Sequence, residues 1–141
     1  MVVKKARGFM GHTIKLAAFG AVAFLVLDGV WLGVLMKHFY RDQLAPIVRL
    51  ANGGIAPNWP AAFVVYLLLG TGIALFVIPR ASTASLAAVY GALFGLVVYG
   101  VYDFTNYSTL RQWPFVLALA DVAWGAVASA ACAVVVRLMD R

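Results

Sequence analysis

The sequence predicts an all-α protein, a four-helix transmembrane bundle with its N- and C-termini in the cytoplasm. Two observations carry this prediction. The 141-residue chain is 65% hydrophobic and 11% charged, with a mean hydropathy of +0.95, which is far from the composition of a soluble domain. It also contains four apolar stretches near the ~20 residues that a helix needs to cross a bilayer. We expect a single integral-membrane domain over residues 1–141.

The four predicted spans are residues 15–36, 60–78, 85–105 and 114–136. Trp-Pro pairs mark the starts of the second and fourth spans, because Trp suits the membrane interface and Pro suits the first helical turn. The apolar run before Ala23 is short and interrupted by Lys15, whereas the run that continues through Met36 is long enough to span. That length favours a retained span over a signal peptide cleaved near Ala23.

Basic residues in the short loops predict the orientation. Seven lie on the side of the termini: Lys4, Lys5, Arg7, Lys15, Arg80, Arg137 and Arg141. Four lie on the opposite side: Lys37, Arg41, Arg49 and Arg111. Because cytoplasmic loops carry the excess of Lys and Arg, both termini are expected in the cytoplasm. The net charge of +6 suits contact with an anionic leaflet, and no nucleic-acid partner is expected.

The loop over residues 37–58 is the longest connection and mixes apolar with charged side chains. Its apolar residues recur near helical spacing, which indicates a short interfacial helix. Pro46 and the Gly53-Gly54 pair limit that helix and predict a flexible turn after it. A passive connector is the alternative.

Three of the five acidic residues, Asp28, Asp103 and Asp121, lie inside or at the edge of predicted spans. A carboxylate at a helix centre costs ~2.5 to 3.5 kcal/mol on insertion scales, so such a residue is a candidate for function. Asp28 and Asp121 each lie ~12 Å of helix from the outer membrane surface, and Asp103 ends its span on that side. We expect the three side chains to converge in the outer half of the bilayer.

Each carboxylate has a potential donor at helical spacing on its own helix. These are Trp31 for Asp28, Trp124 for Asp121, and Tyr99 and Asn106 for Asp103. Together these seven residues form the predicted ligand- or proton-binding site. Desolvation and mutual repulsion disfavour three charges in one apolar pocket, so at least one carboxyl group is expected to be protonated at neutral pH.

Other residues predict packing more than chemistry. Gly91 and Gly95 form a GxxxG pair, and small residues repeat every fourth position from Gly125, which predicts close helix approach within the chain or in a homodimer. His12 and His38 fall on opposite sides of the membrane, so no metal is expected. Nor is a cofactor, because no nucleotide-binding pattern is present.

The strings around these positions resemble one family of small bacterial membrane proteins, domain of unknown function 2177. The shared motifs are LDxxWLG from Leu27, YDxTN from Tyr102 and DxxWG from Asp121. The resemblance covers nearly the whole chain. The resemblance implies a four-helix, multi-pass protein of the bacterial inner membrane and implies no activity.

Three functional hypotheses follow. The first is a module that binds or transports a proton-linked or cationic small solute through the outer pocket. The second is a membrane enzyme acting on a lipid-like molecule, with one Asp as general acid and another as base. The third is a structural or accessory subunit whose carboxylates fix helix packing. The first is preferred, and no catalytic residue is assigned.

Overall fold

The computed structural model describes residues 2–52 and 54–140, with side chains from Gly8 onward. Some residues used above to predict the turn and the orientation lie outside the described part of the chain. They are Gly53, Arg141 and the side chains of Lys4, Lys5 and Arg7. Five α-helices and one short hairpin make up the described chain. They are α1 (Val2–Val30), α2 (Lys37–Leu44), β1 (Leu50–Ala51), β2 (Gly54–Ile55), α3 (Trp59–Gly72), α4 (Ala84–Thr109) and α5 (Phe115–Met139). A π-helical segment, Trp31–Leu35, extends α1, and the segments Ile73–Val77 and Ile78–Arg80 extend α3.

Four helices are long and apolar enough to cross a membrane, which confirms the predicted fold class. The spans are Gly8–Leu35, Trp59–Arg80, Ala84–Thr109 and Phe115–Met139. The first starts earlier than predicted because Lys15 does not interrupt it: the side chain is exposed and its Nζ lies 5.8 Å from the centroid of the Phe19 ring. The third continues through its polar end, where Ser108 and Thr109 hydroxyls both donate to the Thr105 carbonyl.

The chain termini lie at one end of the bundle. His12 Nε2 is 2.8 Å from Asp140 Oδ1, and Arg137 forms a 2.7 Å ion pair with the same carboxylate. A second Arg137 nitrogen donates to the carbonyl of Ser82, in the loop between α3 and α4. These contacts join the start of α1, the end of α5 and the connection between the other two spans. The loop containing α2 therefore lies at the opposite end.

The helix faces that carry small residues on α4 and α5 pack against each other within one chain. A Cβ added at Gly91 would lie 2.6 Å from the Ser129 carbonyl oxygen, so α4 approaches α5 almost backbone to backbone. A Cβ at Gly20 would lie 2.9 Å from the Gly70 Cα, which gives α1 and α3 a similar contact. Close packing of this kind is the established use of small residues in membrane helices. The GxxxG face of α4 is therefore occupied by α5.

The long loop contains the short helix that its apolar spacing indicates, and α2 ends two residues before Pro46. The turn predicted after α2 lies within a short hairpin, which was not predicted from the sequence. Leu50 pairs with Ile55 and Ala51 with Gly54 in a two-residue antiparallel ladder. Asn52 occupies its turn with φ of 51°, a left-handed conformation that Asn tolerates better than most residues.

Candidate functional site

The first carboxylate, Asp28, is buried between α1, α3 and α5, with 8% of its surface exposed. Trp124 Nε1 of α5 donates a 2.8 Å hydrogen bond to Asp28 Oδ1. The Tyr66 phenol of α3 lies beside the same carboxyl group. Asp28 thus obtains its donors from other helices and joins three of the four spans.

Trp31 does not serve Asp28, and Trp124 does not serve Asp121, so the predicted pairing within each helix is wrong. The two indoles instead stack face to face, with ring centroids 4.3 Å apart and planes inclined by 2°. Trp31 Nε1 donates to the Tyr40 hydroxyl at 3.1 Å. The partners are exchanged because two helices packed side by side bring each indole over its neighbour, where stacking adds to the hydrogen bonds.

Tyr40 of α2 is the donor to Asp121 and was not predicted as a site residue. Its hydroxyl donates to Asp121 Oδ1, and only 3% of its surface is exposed. Burial, followed by the neighbouring Asp121 carboxylate, raises the pKa of the Tyr40 phenol, so it remains a donor at neutral pH. The available signal was weak: Tyr40 is one of several apolar positions on the short amphipathic helix of the loop.

Asp103 lies beside Asp121 and is fully buried. Its donor is Trp113 Nε1, 3.3 Å from Oδ1, rather than Tyr99 or Asn106. Tyr99 packs against Gly125 in the space between Asp28 and Asp121, and Asn106 lies beside Tyr102. Trp113 lies in the loop before the fourth span. A search for donors three or four residues away on the same helix therefore could not identify it.

The carboxyl groups of Asp103 and Asp121 lie within hydrogen-bonding reach of each other. Among the described residues, Asp103 Oδ2 has no donor. Two ionised carboxylates can only repel, whereas a protonated carboxyl group donates to an ionised one. The arrangement therefore suits a pair that holds one proton between two acids.

A cleft of about 420 Å³ opens beside Asp28. One side is formed by α1 and the other by α3 and the hairpin. Its lining residues are Leu25, Asp28, Gly29, Leu32, Gly33, Lys37, Gly54, Ile55, Pro57, Trp59, Ala62 and Tyr66. Asp103 and Asp121 do not line it. The three acids therefore converge on one network, but only Asp28 reaches the cleft.

The described residues contain no group of three His, Cys, Asp or Glu side chains placed to hold a metal ion. His12 is engaged with Asp140 at the far end of the bundle. The chemistry at this site is that of carboxyl groups with indole and phenol donors. A carboxyl group in such a set can take up a proton or pair with a cation.

The fold and the buried carboxyl groups define a multi-pass α-helical membrane protein. The family model described as "Predicted membrane protein (DUF2177)" matches residues 13–138, and the chain belongs to this family. The match confirms the resemblance drawn from the three motifs. No curated protein and no solved structure matches the chain.

Proposed function

We propose that the protein binds, and in the membrane transports, a small cationic solute that enters the cleft and pairs with Asp28. The observation that carries this proposal is the cleft itself: a space of about 420 Å³, within the range of small-molecule sites, ends at a buried carboxylate. Among the described side chains, no Lys or Arg nitrogen lies within 4 Å of that carboxylate.

An unpaired buried carboxylate is unfavourable because its charge loses hydration without gaining a counter-charge. A proton or a cationic ligand can remove that penalty, and the two compete for the same oxygen atoms. Trp124 donates to Oδ1 and the Tyr66 phenol lies beside the same carboxyl group, so neutral donors stabilise the carboxylate but supply no counter-charge. Exchange of a proton for a cation at Asp28 is the simplest proton-linked step that this arrangement supports.

The acid pair formed by Asp103 and Asp121 also supports a proton-linked role. It is connected to Asp28 through the stacked indoles of Trp31 and Trp124. An indole N–H donates but does not accept, so Trp31 and Trp124 cannot pass a proton between Asp28 and Asp121. They can transmit a displacement, because Trp124 is bonded to Asp28 while the stacked Trp31 is bonded to Tyr40. Ligand binding at Asp28 would thereby alter the donor at Asp121.

The alternatives fit the geometry less well. General acid and base catalysis requires two groups within reach of one substrate, and only Asp28 lines the cleft. A purely structural role for the carboxylates does not require a cleft at Asp28. We therefore favour binding or transport over a lipid-acting enzyme or an accessory subunit.

We also propose that the protein resides in the bacterial inner membrane with both termini in the cytoplasm. The termini share one end of the bundle, and the excess of basic residues lies on that side, as is typical of a cytoplasmic end. The cleft and the acid pair would then lie in the periplasmic half. A solute would reach Asp28 from outside the cell.

Binding of pentylammonium to the purified protein in a non-ionic detergent tests the proposal, with calorimetry as the readout. Asp28→Asn keeps the size of the side chain but removes its charge, so affinity should fall at least tenfold. Asp42→Asn is the matched control, because Asp42 is exposed and pairs with Arg41 on α2. Equal affinity in wild type and Asp28→Asn, or no binding to wild type, would overturn the proposal.

A second variant covers the case in which Asp28→Asn does not fold. A Cβ added at Gly29 would meet no atom within 4 Å, and Gly29 lines the cleft. Gly29→Leu should therefore fill the cleft without disturbing the helix contacts. It should abolish amine binding while leaving the unfolding temperature within a few degrees of wild type.

A further inference from the structure

We infer that the solute is a water-soluble zwitterion with an apolar body, whose amine pairs with Asp28 and whose anionic group pairs with Lys37. This inference rests on the proposed function and specifies its ligand. It follows from the residues that line the cleft, which include one carboxylate, Asp28, one ammonium group, Lys37, and several apolar side chains.

The two charged residues lie at different depths. Asp28 belongs to the first span, whereas Lys37 is the first residue of α2, beyond the end of that span at Leu35. Nine residues separate them along the chain, at most ~13 Å of helical rise. No salt bridge joins Lys37 to Asp28 or to another acid among the described residues. The inner charge of the cleft is therefore negative, and the charge at its mouth is positive.

Lys37 lines the cleft beside the hairpin, and its side chain is exposed. A Cβ placed on Gly54 would lie 3.5 Å from Lys37 Cε and 3.8 Å from Lys37 Nζ. The ammonium group thus lies beside the backbone of β2, with its donors available to a ligand. A carboxylate or phosphate at the mouth would accept them.

The middle of the cleft is apolar and roomy. Leu25, Leu32 and Ile55 contribute aliphatic walls. Gly29 and Gly33 present no side chain there, and a Cβ on either would meet nothing within 4 Å. Because removing methylene groups from water is favourable, a solute with several methylenes between its charges suits this section.

The test compares amino acids that carry their amine on the terminal carbon with alkylammonium ions of equal length. Aminobutanoate, aminohexanoate and aminooctanoate are titrated beside butyl-, hexyl- and octylammonium, using wild type, Lys37→Gln and the control Lys15→Gln. Lys15 lies in the half of α1 nearest the termini, away from the cleft. The best-fitting amino acid should bind about fivefold tighter than its alkylammonium partner, the effect of one solvent-accessible ion pair.

Lys37→Gln should remove this fivefold gain without weakening alkylammonium binding, and Lys15→Gln should keep it. If alkylammonium and amino acid bind wild type equally at every length, the zwitterion inference is wrong and the cation site at Asp28 stands. If alkylammonium ions do not bind at all, both the inference and the proposed function are wrong. Retention of the gain in Lys37→Gln would also exclude Lys37 as the anion-binding residue.

Discussion

At the residue scale, each D-x-x-W segment gives its indole N–H to a partner other than its own aspartate. Trp124 of α5 donates to Asp28 of α1, and Trp31 of α1 donates to Tyr40, which donates to Asp121 of α5. A residue three positions away shares a helix face, but that face also meets a neighbouring helix. The exchange converts two local motifs into a connection between the first and fourth spans.

Substitution of Trp124 by Phe should separate the exchanged pairing from a pairing within each helix. Phe keeps an aromatic ring in the stack but leaves Asp28 without its indole donor, so the free energy of unfolding should fall by ~1 to 3 kcal/mol. The affinity for amines at Asp28 should change as well. Trp31→Phe should leave binding at Asp28 nearly unaltered, whereas pairing within each helix requires the opposite order. Thermal unfolding and amine titration of both variants measure this, with Phe76→Leu as the control because Phe76 is exposed and does not line the cleft.

Tyr40 gives a prediction with a defined pH dependence. Because burial and Asp121 raise the phenol pKa above its ordinary value, the folded state holds that proton more tightly than the unfolded state. The resulting stabilisation is complete below the unfolded pKa of ~10 and declines as pH rises above it. Tyr40→Phe should therefore be less stable than wild type at pH ~8, by about 1 to 3 kcal/mol. This difference should shrink above pH ~10; a constant difference would contradict the assignment.

At the element scale, hydropathy alone was sufficient to locate the four spans, because length and apolar content are properties of each helix by itself. It was harder to predict whether a polar residue within an apolar stretch ends the helix. Lys15 keeps its charge exposed, and the polar end of α4 satisfies its hydroxyls on its own backbone, so neither ends a helix. Tyr40 and Trp113 were missed as donors because their roles depend on how loops fold back onto helices. Spacing along one helix carries no information about that.

Two glycines of α4 provide a matched test of helix packing. A Cβ at Gly95 would lie 2.6 Å from the carbonyl carbon of Gly125, whereas one at Gly100 would meet nothing within 4 Å. Gly95→Ala should therefore destabilise the protein by ~1 to 3 kcal/mol through overpacking against α5. Gly100→Ala should not, because it adds a better helix former in open space. Equal unfolding temperatures for the two variants would show that α4 and α5 are not so closely packed.

At the scale of the whole molecule, the ion pairs that His12 and Arg137 form with Asp140 lie at one end of the bundle, and the site lies at the other. His12, Arg137 and Asp140 join the ends of the chain, while Asp28, Asp103 and Asp121 lie toward α2. The depths of the three acids were predictable from their positions in the spans. Their connection through Tyr40 and two stacked indoles was not, since it depends on the relative rotation of α1 and α5. The proposed direction of solute entry depends on which end faces the cytoplasm.

Labelling of single cysteines in intact cells tests that orientation. Cys132, the one cysteine of the sequence, is fully buried and its Sγ lies 3.4 Å from the Gly20 carbonyl oxygen, so it should give little background. Ala45→Cys, exposed after α2, should react with a membrane-impermeant maleimide added outside. Ser82→Cys, exposed at the opposite end, should react only after permeabilisation, because basic residues retain that end in the cytoplasm. The reverse pattern would place the cleft on the cytoplasmic side and make Asp28 a site for solutes arriving from within the cell.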